Sequence, residues 1–299
     1  MSNFTVKNFE EYLQIVRDEL PEGRKYFRGQ SKLISAGYQL KPSIGRYQHL
    51  TKKSFRERTD LEREVLDVFS NHLVTYVQHL PRSDWEALAI AQHHGLPTRF
   101  MDWTTNPLVA LYFAVRQTKK DDDANLLDSA VYVLISDPPR FADWKRNQLP
   151  SVKPVGDLAT TPVQEEEGYD AFGLDEPDEE AVHDEELSDT DTMEDAVEET
   201  AEAHFDIPSP FEIRENIIYD PPHISPRMRA QDSVLLACYR PLEPLEDREW
   251  LEIVIHHDAH DDIRQRLDQY GVFDRQLFPG LDGIAKWLRY RVFDTEGAL

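Results

Sequence analysis

The chain has 299 residues, of which 40% are hydrophobic, and a formal net charge of −24. Its length allows a sizeable core, either in one large domain or in two small ones. The single cysteine, Cys238, excludes a disulfide within the chain and fits a reducing compartment. No apolar run reaches membrane-spanning length and no signal-like segment precedes the first predicted helix, so we expect a cytoplasmic protein without a membrane partner.

The first part of the chain is predicted to be mainly helical. Residues 9–20 have an amphipathic pattern with Asn8 available as a cap, and residues 60–79 carry apolar side chains at helical spacing. Between them, residues 25–30 indicate a short aromatic strand that ends in an Arg-Gly step. Residues 40–46 have a loop-like composition. Helices are therefore expected to dominate the N-terminal half.

Two further helices are predicted around a polar segment. Residues 84–94 carry apolar side chains on one face, and Gly95 marks the end of this helix. Asn106 and Pro107 suit the start of a second helix, in which residues 108–115 are apolar almost all round. We expect this second helix to be buried.

The negative charge is concentrated in one segment. Residues 154–213 contain 22 of the 57 Asp and Glu residues and no Lys or Arg. Within it, residues 164–202 have too few apolar groups to offset the entropy of folding. We therefore predict one domain, formed by residues 1–153 and 207–299, that is interrupted by a disordered acidic insertion at residues 154–206. The insertion is either a solvated surface segment, a nucleic-acid mimic or a docking arm for a basic protein partner.

The remainder of the chain is predicted to supply most of the strands. These strands lie at residues 130–136, 234–240 and 250–257. The predicted helices lie at residues 141–146, 260–270 and 280–292. The Pro-rich residues 216–233 are expected to be irregular. Together these elements predict an α+β fold, a single domain with a small mixed or antiparallel sheet.

The segment between the two central helices is the best candidate for a site. It contains His93, His94, Arg99, Asp102, Trp103, Thr104 and Thr105. Such groups are costly between buried elements unless they are hydrogen-bonded to each other or to a ligand. We predict a short polar loop whose side chains contribute to a binding or catalytic site.

Two interpretations of this loop involve its histidines. A metal site at His93, His94 and Asp102 is disfavoured, because adjacent helical residues point about 100° apart, and no metal is expected. Proton transfer by His94 or His93, oriented by Asp102, would make these three residues catalytic.

Two other interpretations do not involve the histidines. Arg99 and Thr104 would bind a phosphate together with Thr105 and the helix start at Asn106. Alternatively, the loop is a structural cluster in which Asp102 pairs with Arg99. The sequence leaves these alternatives open.

Three strings of the sequence resemble the FRG-domain family, which is named for an aromatic-Arg-Gly motif. They are Tyr26-Phe27-Arg28-Gly29-Gln30, Lys41-Pro42-Ser43 and, from Ala91, AQHHGLPTRFMDWTTNPLVALYFA. Residues 221–234 and 277–286 are similar to later landmarks of the family. The chain departs from the family at Phe100-Met101, where Leu-Leu is usual, and at Asp232-Ser233, where Gly-Phe is usual. The second departure affects how tightly that later loop can turn.

The resemblance implies a polar pocket that binds a nucleotide-type small molecule. Its ligand-binding residues would be Arg28, Gln30, Arg99 and Thr104. The aromatic-Arg-Gly strand is also similar to the first motif of ADP-ribosyltransferases, in which an arginine holds the NAD pyrophosphate, so NAD is the candidate cofactor. An arginine beside a glycine suits bidentate recognition of phosphate, whereas the structural alternative is an ion pair between Arg28 and a buried acid such as Asp102.

Ribosyl transfer also requires a carboxylate, and the sequence does not identify it. The candidates are Glu212, Glu215, Glu249, Glu252 and Asp232. A further polar cluster at Arg227, Arg229 and Gln231 either closes over the first site or binds an anion separately.

Two functions of different classes follow. The first is an FRG-domain effector that acts on a nucleotide-containing ligand, with ADP-ribosyl transfer as its specific form and a bacterial toxin or anti-phage setting implied by the family. The second is a non-enzymatic recognition module whose acidic insertion docks on a basic protein or mimics nucleic acid. No oligomeric state follows from the sequence.

Overall fold

The computed structural model describes residues 4–77, 80–148, 208–221 and 225–294, which belong to one compact unit. The predicted acidic insertion, its disorder included, lies outside these residues.

The described residues contain one sheet of seven strands. In chain order the strands are β1 (Phe4–Val6), β2 (Tyr26–Gln30), β3 (Phe100–Thr104), β4 (Ser129–Leu134), β5 (Ile217–Tyr219), β6 (Ser233–Ala237) and β7 (Trp250–Ile255). Their order across the sheet is β1-β7-β4-β2-β3-β6-β5. β1 is parallel to β7, whereas all other neighbouring pairs are antiparallel. The predicted mixed α+β fold is confirmed.

Five of the nine described α-helices begin at a residue whose side chain caps them. The nine are α1 (Phe9–Asp18), α2 (Phe55–Leu73), α3 (Asp84–His93), α4 (Pro107–Val115), α5 (Phe141–Gln148), α6 (Pro226–Ala230), α7 (His260–Gln269), α8 (Asp274–Leu277) and α9 (Leu281–Arg289). Asn8, Ser83 and Asn106 each accept a backbone N–H of the first turn. α2 begins five residues earlier than predicted, because Ser54 and Glu57 form a reciprocal capping box.

Two segments predicted to be irregular contain regular structure. The polar loop contains β3, which pairs with β6 along its whole length. The Pro-rich segment contains β5 and α6. β3 lies inside the sheet, and its Phe100, Met101 and Trp103 are all buried. A strand covered on both faces lacks the alternation of apolar and polar residues that identifies a half-exposed strand, and the prediction missed it for this reason.

The central helix α4 packs directly on β2. A Cβ on Gly29 would lie 1.8 Å from the carbonyl oxygen of Ala110 and 2.7 Å from the backbone nitrogen of Ala114. Only glycine permits this approach, which accounts for the glycine of the aromatic-Arg-Gly string. Phe27 and the α4 residues share a core with side chains from α1, α7, β4 and β7. α4 is therefore buried, as predicted.

His260 is a buried histidine that should make stability depend on pH. Its Nδ1 lies 2.9 Å from the Thr118 hydroxyl and its Nε2 lies 2.9 Å from the Ser129 hydroxyl. Burial lowers the pKa of His260 to about 4, below the ordinary value of 6.5. As pH falls between these values, the unfolded chain takes up a proton that the folded chain does not bind. The free energy of unfolding should therefore decrease by about 3 kcal/mol on this account.

Urea unfolding of the wild type and of His260→Gln at several pH values measures this effect. The glutamine does not titrate, so its unfolding free energy should fall less steeply over the same range. An identical pH dependence for both proteins would contradict the assignment.

Candidate functional site

The strands β2 and β3 diverge from one point of contact, and a cleft lies between them. The register joins them at Phe27 and Thr104, whereas each strand continues a five-residue ladder with its other neighbour. The cleft has a volume of about 250 Å³. Its lining includes Arg28, Gln30, Gln92, His93, Asp102 and Thr104. The structure thus brings the early arginine and one of the mid-chain histidines to the same cavity.

Three hydrogen bonds fix Arg28 in this cleft. Its Nε donates to the Tyr38 hydroxyl at 3.2 Å, and its Nη1 donates to the backbone carbonyl of Asp102. With the amide of Gln30 oriented by this network, the Gln30 oxygen accepts from Nη2 at 3.1 Å. A guanidinium has five N–H donors, so two remain for a ligand. Burial opposes the charge, but Tyr38 and Asp102 outweigh it and hold the pKa of Arg28 above its ordinary value.

The Asp102 carboxylate is the end of a short hydrogen-bonded chain. It accepts from Gln92 Nε2 at 3.0 Å, and the Gln92 oxygen accepts from the Thr98 hydroxyl at 2.7 Å. The backbone N–H of Thr98 donates to the Ser43 hydroxyl at 3.2 Å, which connects the Lys-Pro-Ser string to the site. Asp102 Oδ2 lies 3.9 Å from Arg28 Nη1, and the Asp102 side chain is 59% exposed. The carboxylate is therefore oriented but still accessible.

The two predicted histidines differ in position. His93 is half-buried in the cleft lining, whereas His94 caps the end of α3, is exposed and lies outside that lining. Burial, followed by the nearby His94 and Arg227, lowers the pKa of His93 against the opposing effect of Asp102. His93 is therefore neutral at neutral pH, where its imidazole can accept a proton.

Thr104 connects two parts of the site. Its hydroxyl donates to the Gln231 carbonyl at 2.7 Å and accepts from the Asn106 N–H at 3.0 Å. The Asn106 side chain in turn accepts from the N–H groups of Leu108 and Val109. Asn106 thus occupies two donors of the first turn of α4, and phosphate binding at the start of this helix stays a prediction.

Arg99 lies outside the cleft, contrary to its predicted role as a ligand-binding residue. It is 1% exposed, and its guanidinium donates to both carboxylate oxygens of Glu62 at 2.9 and 2.8 Å. It also donates to the Pro210 carbonyl at 2.9 Å and lies over the Phe211 ring. The predicted pairing of Asp102 with Arg99 is also wrong, because the carboxylate that pairs with Arg99 belongs to Glu62.

The polar cluster after Pro226 contributes to the same cleft. Arg227 and Gln231 belong to the lining, and Arg227 lies 4.9 Å above the Phe278 ring.

Asp232 has a φ of 46°, in the left-handed region that favours the glycine usual in the family. Its carboxylate accepts from the Asn106 amide at 3.1 Å, a bond that glycine cannot make. The loop turns tightly despite the substitution.

None of the predicted candidate carboxylates belongs to the described lining of the cleft. Glu212 pairs with Arg63 at 2.5 Å, and Asp232 is held by Asn106. Glu249 and Glu252 accept from the side chains of Asn216 and Tyr132, both at 3.0 Å. Asp102 is the carboxylate that the described lining contains.

Sequence reasoning missed two kinds of lining residue, and it listed Trp103 only as a member of the polar loop. Gln92 is a polar residue in an apolar helix, and that contrast could have identified it. The indole N–H of Trp103 is buried and has no hydrogen-bond partner among the described residues. Phe113 and Met228 carry no signal that separates them from core residues.

A group that could hold a metal ion lies outside the cleft. The ligand atoms of Asp128, His256 and His257 are within 4.8 Å of one another. His257 Nδ1 lies 2.8 Å from the Asp128 carboxylate, an ordinary hydrogen-bond distance. That the cleft itself requires no metal stays a prediction.

Across the described ranges, no helix is both long enough and apolar enough to span a membrane.

Comparison with known proteins finds one family model that matches part of the chain. No curated protein and no solved structure matches the chain. Residues 23–123 match the family model described as FRG domain, which covers about a third of the chain. The match includes the aromatic-Arg-Gly strand, the Lys-Pro-Ser string, α3, β3 and α4. These elements supply Arg28, Gln30, His93, Asp102 and Thr104 to the cleft. Residues 23–123 are therefore assigned to the FRG domain.

Proposed function

We propose that the cleft between β2 and β3 binds a nucleotide-type ligand and that the protein transfers ADP-ribose from NAD. The observation that carries this proposal is the convergence of Arg28, His93 and Asp102 on one cavity. These three side chains provide a cation, a proton acceptor and a carboxylate. They come from β2, α3 and β3. Arg28 is distant from the other two in the sequence, so only the fold brings the three side chains together.

The two arginines of the cleft suit a diphosphate. Arg28 is held rigidly and retains two N–H donors, and Arg227 adds a second positive charge from α6. Charge-assisted hydrogen bonds to phosphate are stronger than those between neutral groups. Gln30 orients Arg28 in this arrangement and does not contact the ligand through the oxygen that Arg28 occupies.

Asp102 and His93 suit the chemistry at the ribose. Asp102 stabilises the positive charge that develops on the ribose as the bond to nicotinamide breaks and its electron pair leaves with nicotinamide. The nucleophile, a hydroxyl group or water, forms the new bond to the ribose carbon. His93 accepts the proton that this nucleophile loses, as its lowered pKa permits.

The cleft volume limits what is enclosed. At about 250 Å³ it is smaller than pockets that surround a drug-sized ligand, about 300–1,000 Å³. We therefore place the diphosphate and one ribose in the cleft and the remainder of the dinucleotide in solvent.

The second candidate function is a recognition module, and the bonding of Arg28 favours it. Arg28 Nη1 satisfies the Asp102 carbonyl where β2 and β3 separate, which is a structural role. In this alternative, residues 164–202 dock on a basic protein or mimic nucleic acid through their carboxylates. A toxin or anti-phage setting in the cytoplasm is compatible with either function and rests on the family resemblance.

Nicotinamide release from NAD by the purified protein tests the proposal. Arg28→Ala should reduce kcat/KM by about 10- to 100-fold, because it removes charge-assisted hydrogen bonds of about 1.5–3 kcal/mol. Arg146→Ala is the matched control, since Arg146 is an exposed residue with a long ion-pair distance of 3.8 Å. Urea unfolding of each variant separates lost activity from lost folding.

The result that would contradict the proposal is a wild-type protein that neither consumes NAD nor binds ADP-ribose. The recognition module would be favoured if the wild type binds no nucleotide and if deletion of residues 164–202 abolishes its binding to a basic protein.

A further inference from the structure

A second and larger cavity lies beside the buried Glu62–Arg99 pair. Its volume is about 640 Å³, which is the size of a small-molecule site. It is bounded by α2, by the short helices Ser43–Arg46 and Gln48–Lys52, by residues 96–99 ahead of β3 and by residues 239–243. Its lining shares no residue with that of the cleft between β2 and β3.

The wall of this cavity is mainly apolar. Ile44, Leu66 and Leu88 are buried members of the lining. Phe55 also lines it and is 59% exposed, and Tyr47 is a second exposed aromatic member. Large apolar side chains that remain exposed around a cavity are typical of a binding surface. The cavity is therefore suited to an apolar body.

One polar group in the wall lacks a partner. Thr59 is a lining residue and is 7% exposed, and its hydroxyl makes no hydrogen bond within the described part of the chain. A buried hydroxyl without a partner destabilises the folded state. The other buried polar pair in the wall, Glu62 with Arg99, is fully bonded. The Thr59 oxygen is itself covered by protein atoms, so the polar character of this wall comes from its charged side chains.

The charged residues around the cavity are predominantly cationic. Arg58 and Arg214 line it, and neither has an acidic partner within 4.0 Å in the described ranges. Arg240 is matched by Glu243 at 3.5 Å, as Arg99 is matched by Glu62. Two arginines without an acidic partner among the described residues give this wall a local excess of positive charge, which indicates an anionic group in the occupant.

We infer that this cavity binds a small amphipathic anion, an apolar molecule that carries one acidic headgroup. The apolar wall takes the body, and Arg58 and Arg214 hold the headgroup. The site is separate from the proposed NAD cleft and does not depend on that function.

Isothermal titration of the full chain with octanoate, decanoate and dodecanoate, each below micelle formation, tests the inference. Affinity should increase about fourfold for each added methylene, the factor that corresponds to burial of one methylene in an apolar site. Decanol should bind about 10- to 100-fold more weakly than decanoate, because it lacks the charge that the arginines bind. Chain-length-independent affinity, or no binding of decanoate, would overturn the inference.

Variants locate the binding. The double variant Arg58→Ala/Arg214→Ala should bind decanoate more weakly than the wild type and should bind decanol with unchanged affinity. Arg56→Ala is the control, because Arg56 is an exposed residue of the same helix that lies outside the lining. Val65→Trp places a large ring among the partly exposed lining residues and should abolish binding of both probes. Wild-type decanoate affinity in both Val65→Trp and the double arginine variant would show that the probe binds elsewhere and would overturn the inference.

Discussion

Replacing Glu62 with leucine should cost about 3–5 kcal/mol of unfolding free energy, because the Arg99 guanidinium would remain buried without its anion. Arg99 is 1% exposed and donates two hydrogen bonds to Glu62, so the charge cannot be hydrated in the folded state. Arg99→Met should have a similar cost, since it leaves the Glu62 carboxylate buried without a cation. Urea unfolding at neutral pH measures both effects.

The double variant Glu62→Leu/Arg99→Met is the decisive comparison. With both charges removed, neither leaves the other unpaired, and only the Pro210 carbonyl loses a donor, so most of the lost stability should return. Arg63→Ala is the control for an exposed pair: it breaks the bond to Glu212 and should cost less than about 1 kcal/mol. A double variant whose cost equals the sum of the single costs would contradict this account of the pair.

The second large effect is expected in NAD turnover by His93→Gln. Under the proposed function His93 accepts the proton of the nucleophile, and loss of such a group reduces kcat by about 10²–10⁴-fold. Because the pKa of His93 is lowered, the rate of the wild type should rise with pH through a midpoint below 6.5 and then level off. His93→Gln should lack this rise.

His94→Gln is the matched control for that experiment. His94 is adjacent in sequence but exposed and outside the cleft lining, so its replacement should leave kcat near the wild-type value. Equal losses in the two variants, or a loss confined to His94→Gln, would contradict the assignment of the proton acceptor.

Local signals made much of the helical structure predictable. Asn8, Ser83 and Asn106 occupy the capping positions that their side chains suit, and the apolar run after Pro107 forms the buried helix expected. α2 was placed five residues late, because its capping box at Ser54 precedes the apolar pattern that identifies the helix.

The remaining misses concern contacts between distant segments. β3 was missed because burial on both faces removes the alternation that identifies a strand. Arg99 and Arg28 have the same side chain, and only the fold shows that one meets Glu62 and the other the cleft. The separation of β2 from β3, which creates that cleft, depends on how the strands pair. No residue pattern within either strand indicates it.

A crystal structure of the protein with ADP-ribose would test the central claim most directly. The account predicts diphosphate oxygens within hydrogen-bond distance of Arg28 and Arg227, and a ribose beside Asp102. ADP-ribose bound elsewhere, or an unoccupied cleft at saturating ADP-ribose, would contradict it.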